Sequence, residues 1–428
     1  MRSLSRREFL RSSAAAAAGL SLGGSLLAAC SPTRPKPRTS SIPLVRKENP
    51  VTWPIYGDNP PIASGLEIEK GATLKVYQWR EYLYEDVLES FAKKFDVSYE
   101  VKNYETIQEG VAGIRGAQRD FDVFFPTVEV LGELVQSKEL RPLNHEYLPN
   151  LGNLWTSFTR RGAPFYDLGQ RYSVPYTVYG TGILIRDELA SIPPEQPFAN
   201  GPYDVFWRYK NGAAVLNEYR EAIGMALLRN GAADINTNDV GSLRRATDDL
   251  IRLGPRLVTP EAAYYGLPAG IDVAQSWSGD VYSSPRVGKS SHSPPYFFWP
   301  SDGDGIVGND LTSILPGGSN PVLAHAFVNY LLDSNVAVEN FMWNGYQPPL
   351  KGIGETPALL KCEQPWVECP YHATLNGDEV RMHGPFERSE LITPEQFERS
   401  QMLLPLDPET DALWQSEWQR FLQHAEKA

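Results

Sequence analysis

Cysteine is nearly absent from this chain: three residues, Cys30, Cys362 and Cys369, in 428 positions. So few cannot staple a disulfide-rich scaffold, and they match none of the common zinc spacings. Histidine is also sparse, with six scattered residues. There is no His-Glu-x-x-His and no Gly-x-Ser-x-Gly, which removes the commonest zinc-hydrolase and serine-hydrolase sites. Beyond residue 30 no apolar run approaches the roughly 18 residues of a spanning helix, so the chain is not itself a membrane transporter. Basic residues are the minority sign, 40 against 52 acids, for a formal charge of −12. That balance argues against a nucleic-acid partner and favours cationic ligands. No internal repeat is visible.

Two strings imitate nucleotide sites. Gly288-Lys289-Ser290 ends like a phosphate loop, but Ser283 stands where its first glycine belongs. Gly303-x-Gly305-x-x-Gly308 has the dinucleotide spacing, yet the residues after it, Asn309 to Ile314, continue as a strand. Without a helix opening there, the string reads as a turn. No cofactor is expected.

The N-terminus carries the most specific signal. Ser5-Arg6-Arg7-Glu8-Phe9-Leu10-Arg11 has the twin-arginine pattern, and an Ala/Gly/Leu-rich run from Ala14 to Ala29 follows it. Leu27-Ala28-Ala29-Cys30 resembles a bacterial lipoprotein box, in which the cysteine is acylated and becomes the first mature residue. Residues 1–29 are therefore expected to be an export signal, and 30–70 a lipid-anchored tether and wrapping arm. Removing residues 1–29 takes away four arginines and one glutamate, leaving 36 − 51, or −15. The mature protein is expected outside the cytoplasmic membrane, held there by lipid. Cys362 and Cys369 are disulfide candidates in such an oxidising compartment. A metal site with His372 is the weaker alternative, because C-x6-C-x2-H fits no common pattern.

From Thr73 the periodicity becomes regular. Strands are expected at 73–78, 97–101, 121–125, 213–216, 274–277 and 306–315, with a broken one over 172–185 whose Gly180 and Gly182 suit a crossing between lobes. Helices are expected at 82–95, 106–118, 128–137, 218–228, 244–253, 322–332, 336–343 and 413–422. Alternation of this kind predicts βαβ units and a largely parallel sheet. The fold class is α/β with two lobes: residues 71–180 continued by about 307–345, and 181–306 continued by about 346–428.

Two stretches carry candidate chemistry. Trp79-Arg80-Glu81-Tyr82 lies at the carboxyl end of the first strand, where open α/β sheets bind ligands. Its rings offer cation–π faces and Glu81 a counter-charge, although packing alone also explains such aromatics. In Asn217-Glu218-Tyr219-Arg220-Glu221 the two glutamates sit three apart in a first helical turn, with Asn217 as a plausible N-cap. They either complement the helix dipole or receive ammonium groups.

The order of these stretches, with Asp122-Val123-Phe124-Phe125-Pro126-Thr127, Tyr172-Ser173-Val174-Pro175-Tyr176, Trp277-Ser278-Gly279 and Gly345-Tyr346-Gln347-Pro348, resembles the spermidine/putrescine-binding proteins of bacterial ABC importers. The resemblance covers about Leu74 to Trp343 and a little beyond. It implies the type II periplasmic-binding fold, with a ligand cleft between two α/β lobes. It also implies a monomer without enzymatic activity that closes on a polyamine and docks on a permease driven by a cytoplasmic ATPase. Carried over by position, the aromatic walls are Trp79, Tyr82, Trp277 and Tyr346. The acids are Glu81, Glu218, Glu221 and Asp310, and the hydroxyl is Thr127. Three positions depart from the family. Gly308 replaces a tryptophan, which implies a thinner wall, and Glu129 replaces a tyrosine, which adds an acid. Arg80 replaces a small polar residue and would pair with Glu81 or Glu129, or narrow the pocket. One alternative is the same fold binding an amino-acid-like or zwitterionic solute through Arg80. Another is an exported cofactor enzyme.

Overall fold

The structure, a computed structural model, describes residues 42–160, 164–185, 201, 203–209, 212–258, 269–280, 296–299, 305–353, 372–375, 378–381 and 392–425. The twin-arginine stretch, Cys30, Cys362 and Cys369 lie outside them.

The strands are β1 (Thr73–Trp79), β2 (Ser98–Tyr104), β3 (Val123–Phe124), β4 (Val174–Ile185), β5 (Ala213–Leu216), β6 (Arg256–Val258), β7 (Val273–Trp277), β8 (Tyr296–Phe298) and β9 (Ile306–Ile314), then a separate hairpin, β10 (His372–Leu375) and β11 (Asp378–Arg381), and finally β12 (Gln401–Met402). The main sheet runs β2-β1-β3-β9-β4-β7-β5-β6, with β12 on β9 and β8 on β4. It is mixed, not largely parallel. β2, β1 and β3 form a parallel group, as do β7, β5 and β6. The strands that join them, β9 and β4, pair antiparallel with each other and with β3 and β7 respectively. Hydrophobic periodicity sets which face a residue takes, not the direction of its strand.

The helices that matter for the cleft are α1 (Glu85–Phe95), α2 (Ile107–Ile114), α3 (Val128–Gln136), α4 (Tyr219–Arg229), α5 (Val240–Leu253), α6 (Pro321–Leu331), α7 (Ser334–Asn344) and α8 (Pro408–Ala425). α1 and α5 bury the stripe their spacing foretells, Val87, Leu88 and Phe91 in one and Leu243, Ala246, Leu250 and Leu253 in the other, whereas α4 and α7 are buried on nearly every side.

Two large apolar cores result. The first gathers β1, β3, α1, α3, α6 and α7 around Val76, Phe91, Phe124, Leu134, Phe327 and Phe341. The second gathers α4, α5 and α8 around Ile223, Leu227, Leu243, Leu250, Trp414 and Phe421. Among the described residues the chain passes between them three times. β4 runs from Val178 in the first core to Ile183 in the second, unbroken through Gly180 and Gly182. β9 returns from Ile306 to Val307, and the Met402–Leu404 segment alternates between cores.

Residues beyond 346 divide differently from the expectation of a single second-lobe tail. Leu350, Ile353, Ile392 and Phe397 belong to the first core, and the Phe397 ring rests on Trp155 and Phe158 at 6.0 and 5.6 Å. The arm also belongs there: Val45, Val51 and Trp53 are buried in the first core, and the Trp53 indole donates to the Tyr166 carbonyl at 2.8 Å.

Candidate functional site

β4 is the floor of the site. Alternate residues of a strand share a face, so Thr177, Tyr179 and Thr181 point the same way. Antiparallel register sets Thr177 beside Asp310, Tyr179 beside Gly308, and Thr181 beside Trp277. A narrow cleft of about 10 Å³, room for roughly one water molecule, lies along this face against Val128, Glu129, Glu221, Asn309 and Leu403.

The first end is built on Tyr82. After β1 the chain turns through Glu81, whose φ of 57° is left-handed, and this drives the Tyr82 ring inward while Glu81 stays exposed. The Tyr82 carbonyl is held by Asn344 at 2.9 Å and by Asn340 at 3.3 Å, both on α7. Its hydroxyl reaches Thr177 at 3.0 Å and donates to Asp310 Oδ2. Asp310 is only 7% exposed, and desolvation pushes its carboxyl up to about 7, against the opposing Tyr82 hydrogen bond and with the charge of Glu129 adding to the rise.

Glu221 makes the second end. It lies in the first turn of α4 at 6% exposure, and its Oε1 accepts from the Trp277 indole N–H at 2.9 Å. Its Oε2 is buried without a well-formed hydrogen bond, and the buried Thr181 hydroxyl, itself without one, lies near enough to help hold the charge. Desolvation raises this carboxyl to about 7, and the charges acting on it, Glu129 and Glu218, add to the rise. Glu218 is different. It is itself the N-cap of α4, exposed and without a side-chain cap bond, so Asn217 is not the cap. Partial desolvation, then the Glu129 charge, raises its carboxyl too.

Tyr346 closes the side. Its ring stands 5.8 Å from Tyr82 and 5.7 Å from Tyr179, and its hydroxyl donates to Asp280 Oδ1 at 2.7 Å. Asp280, 2% exposed, is an acid that sequence reasoning missed. Its signal was the preceding Gly279, where a Cβ would overlap the Tyr346 ring.

A chain of contacts links Asp310 to Tyr82, Tyr82 to Tyr346, Tyr346 to Tyr179, Tyr179 to Trp277 and Trp277 to Glu221, while the cleft itself is lined by Tyr179, Glu221 and the exposed Glu129. Thr127 caps α3 and bridges Asp310 through the backbone; its buried hydroxyl has no partner among the described residues. Trp79 is half-buried, packed on Tyr104 at 4.8 Å, with its indole N–H likewise buried and unmatched. Arg80 forms an ion pair with Glu105 in which both side chains are largely in solvent, at 63% and 48% exposure. The wall expected to be thin at Gly308 is not thin: the Tyr179 ring fills the space there.

Two parallel strand groups joined by antiparallel crossings form the type II periplasmic-binding fold. A spermidine/putrescine ABC-transporter substrate-binding protein from Streptococcus pneumoniae shares this fold, with a TM-score of 0.66 over 83% of this chain and 99% of its own, at 17% identity. No family model matches the sequence. A spermidine/putrescine-binding periplasmic protein of Haemophilus influenzae is 25% identical over 68% of this chain and 78% of its own length. A putrescine/cadaverine-binding protein of Pseudomonas aeruginosa is also 25% identical, over 65% and 79%. The chain is thus similar, at about 25% identity, to spermidine/putrescine-binding and putrescine/cadaverine-binding proteins of bacteria. These relatives are substrate-binding transport proteins, not enzymes.

Proposed function

We propose that this chain captures a linear polyamine, a putrescine- or spermidine-like cation, by closure of its two lobes about the three crossings. It then delivers the ligand to an ABC permease powered by a cytoplasmic ATPase. The observation that carries this reading is the pair of buried carboxylates, Glu221 and Asp310, at the two ends of an aromatic floor. The ionic groups acting on them are other acids. A buried carboxylate without a cation is costly, and an ammonium from the ligand supplies the missing charge. Rings along the floor suit the methylenes between ammonium groups and add cation–π attraction. The names of the relatives point to the same ligand class. Isothermal titration of the folded protein with putrescine, cadaverine, spermidine and spermine should give one-to-one binding to at least one of them; silence toward all four at millimolar concentration rejects the polyamine reading.

The zwitterion alternative is less well supported, because the Arg80 guanidinium is engaged with Glu105 at the surface. We also propose export by the twin-arginine route and a lipid anchor at Cys30, with the folded body working as a monomer outside the cytoplasmic membrane. The sequence Leu27-Ala28-Ala29-Cys30 supports the anchor. Among the described residues no helix is long and apolar enough to cross a membrane. Cys30→Ser should move the protein from the membrane fraction to the soluble extracytoplasmic fraction; a variant that stays membrane-bound removes the lipid anchor from the account.

A further inference from the structure

Tyr179 is the one aromatic of the cleft that comes from the floor itself. Its ring leans from β4 across to β9 and covers Gly308, where a Cβ would overlap the ring's hydroxyl end. Trp277 and Tyr346 meet it edge-on at 6.0 and 5.7 Å, so two rings hold it in place from the sides. Along β4 it lies between Thr177, which faces Asp310 and Tyr82, and Thr181, which faces Trp277. At about 3.3 Å per residue, those flanking positions are roughly 13 Å apart. The ring therefore sits midway between the two buried acids. Burial raises the Tyr179 hydroxyl well above its ordinary value, and Asp310, Glu129, Glu221 and Asp280 all push it the same way. Tyr179 lines the cleft together with Glu129 and Glu221, and the charges of Asp310 and Asp280 also reach its hydroxyl.

Resting on the polyamine reading, we infer that Tyr179 is a ligand-binding and specificity-determining residue: its ring is the face on which the ligand's methylene chain lies, with an ammonium at either end. Gly308 is the positioning residue, since its missing side chain gives the ring room. An aromatic face attracts a desolvated cation by an amount that an aliphatic side chain of similar bulk does not match. The ring also favours ligands whose charges are separated by apolar carbon over compact or hydroxylated cations.

The test compares wild type with Tyr179→Leu, Tyr179→Phe and Gly308→Ala, titrated with putrescine and spermidine, alongside thermal unfolding of each ligand-free protein. Tyr179→Leu keeps apolar bulk and removes the aromatic face, so affinity for the better ligand should fall about tenfold. Tyr179→Phe keeps the face and should stay within about threefold of wild type. Gly308→Ala leaves Tyr179 intact but displaces its ring, so its loss should resemble that of Tyr179→Leu. If Tyr179→Leu unfolds, Gly308→Ala decides. Wild type binding a polyamine while folded Tyr179→Leu, or in its place Gly308→Ala, binds within twofold overturns the role of Tyr179 and leaves the polyamine reading standing. A wild type silent toward both ligands and toward spermine overturns both.

Discussion

Glu221→Gln is expected to weaken polyamine binding by about a hundredfold and, in the same protein, to raise the melting temperature without ligand. The two signs have one cause. Glutamine keeps the Oε1 acceptor for the Trp277 N–H, so the wall geometry survives. What disappears is a charge that is 6% exposed and has no cation acting on it among the described residues. Truncating one side of a buried charge pair costs about 2–5 kcal/mol of binding, and about 3 kcal/mol is roughly a hundredfold. Without ligand the same carboxylate is a liability. Its rise from 4.5 to about 7 means that, near pH 8, its ionisation costs the fold about 3 kcal/mol. Removing it should recover part of that, some degrees in melting temperature. Asp310→Asn should act in the same two directions, with a stability gain at least as large, because its carboxyl has risen further, from 3.8 to about 7. Calorimetry together with thermal unfolding on each variant separates the cases. A variant that melts higher yet binds as wild type would show Glu221 to be only a tolerated buried acid, and one that loses both stability and affinity would show it to be structural.

The acids that matter differ from their sequence neighbours in ways that spacing alone did not reveal. Glu218 and Glu221 look equivalent at i and i+3, but Glu218 adopts the extended N-cap conformation and remains in solvent, whereas the first helical turn carries Glu221 inward. Glu81 and Tyr82 are adjacent, and one left-handed residue sends them to opposite environments. The helical stripes and strand runs were legible because burial imposes periods of 3.6 and 2 on apolar residues. Strand direction was not, since β4 and β9 show the same alternation whether paired parallel or antiparallel. Tyr179 had a signal that was not used: it alternates with Thr177 and Thr181 on a strand whose partner carries a glycine opposite. Arg80 looked like a pocket residue by position, and Glu105, 25 residues later on the neighbouring strand's end, holds it at the surface.

Affinity is expected to rise steeply with pH through the range in which most binding proteins are insensitive. An ammonium can be held only by ionised carboxylates, and Glu221 and Asp310 both stand at about 7 without ligand. Below that value each must release its proton on binding, so affinity should change by up to about tenfold per pH unit for one acid and up to about a hundredfold when both titrate. Stability of the ligand-free protein runs the other way. Both folded values lie above the ordinary 4.5 and 3.8, so between about pH 4 and 7 the folded state binds more protons than the unfolded chain. The slope of unfolding free energy with pH is then negative: this contribution is complete below the ordinary carboxyl values and is lost as pH rises through about 7. Asp167, raised to about 6 by burial against its four hydrogen bonds from Arg171, Tyr172 and Ser173, adds to the same trend. The melting temperature without ligand should therefore fall from about pH 5.5 to 7.5, while the increment given by saturating polyamine grows. Calorimetry in two buffers of different ionisation enthalpy should count between one and two protons released per ligand near pH 6. Affinity that is flat across that interval, with no proton release, would place the ligand's ammonium groups elsewhere than on Glu221 and Asp310.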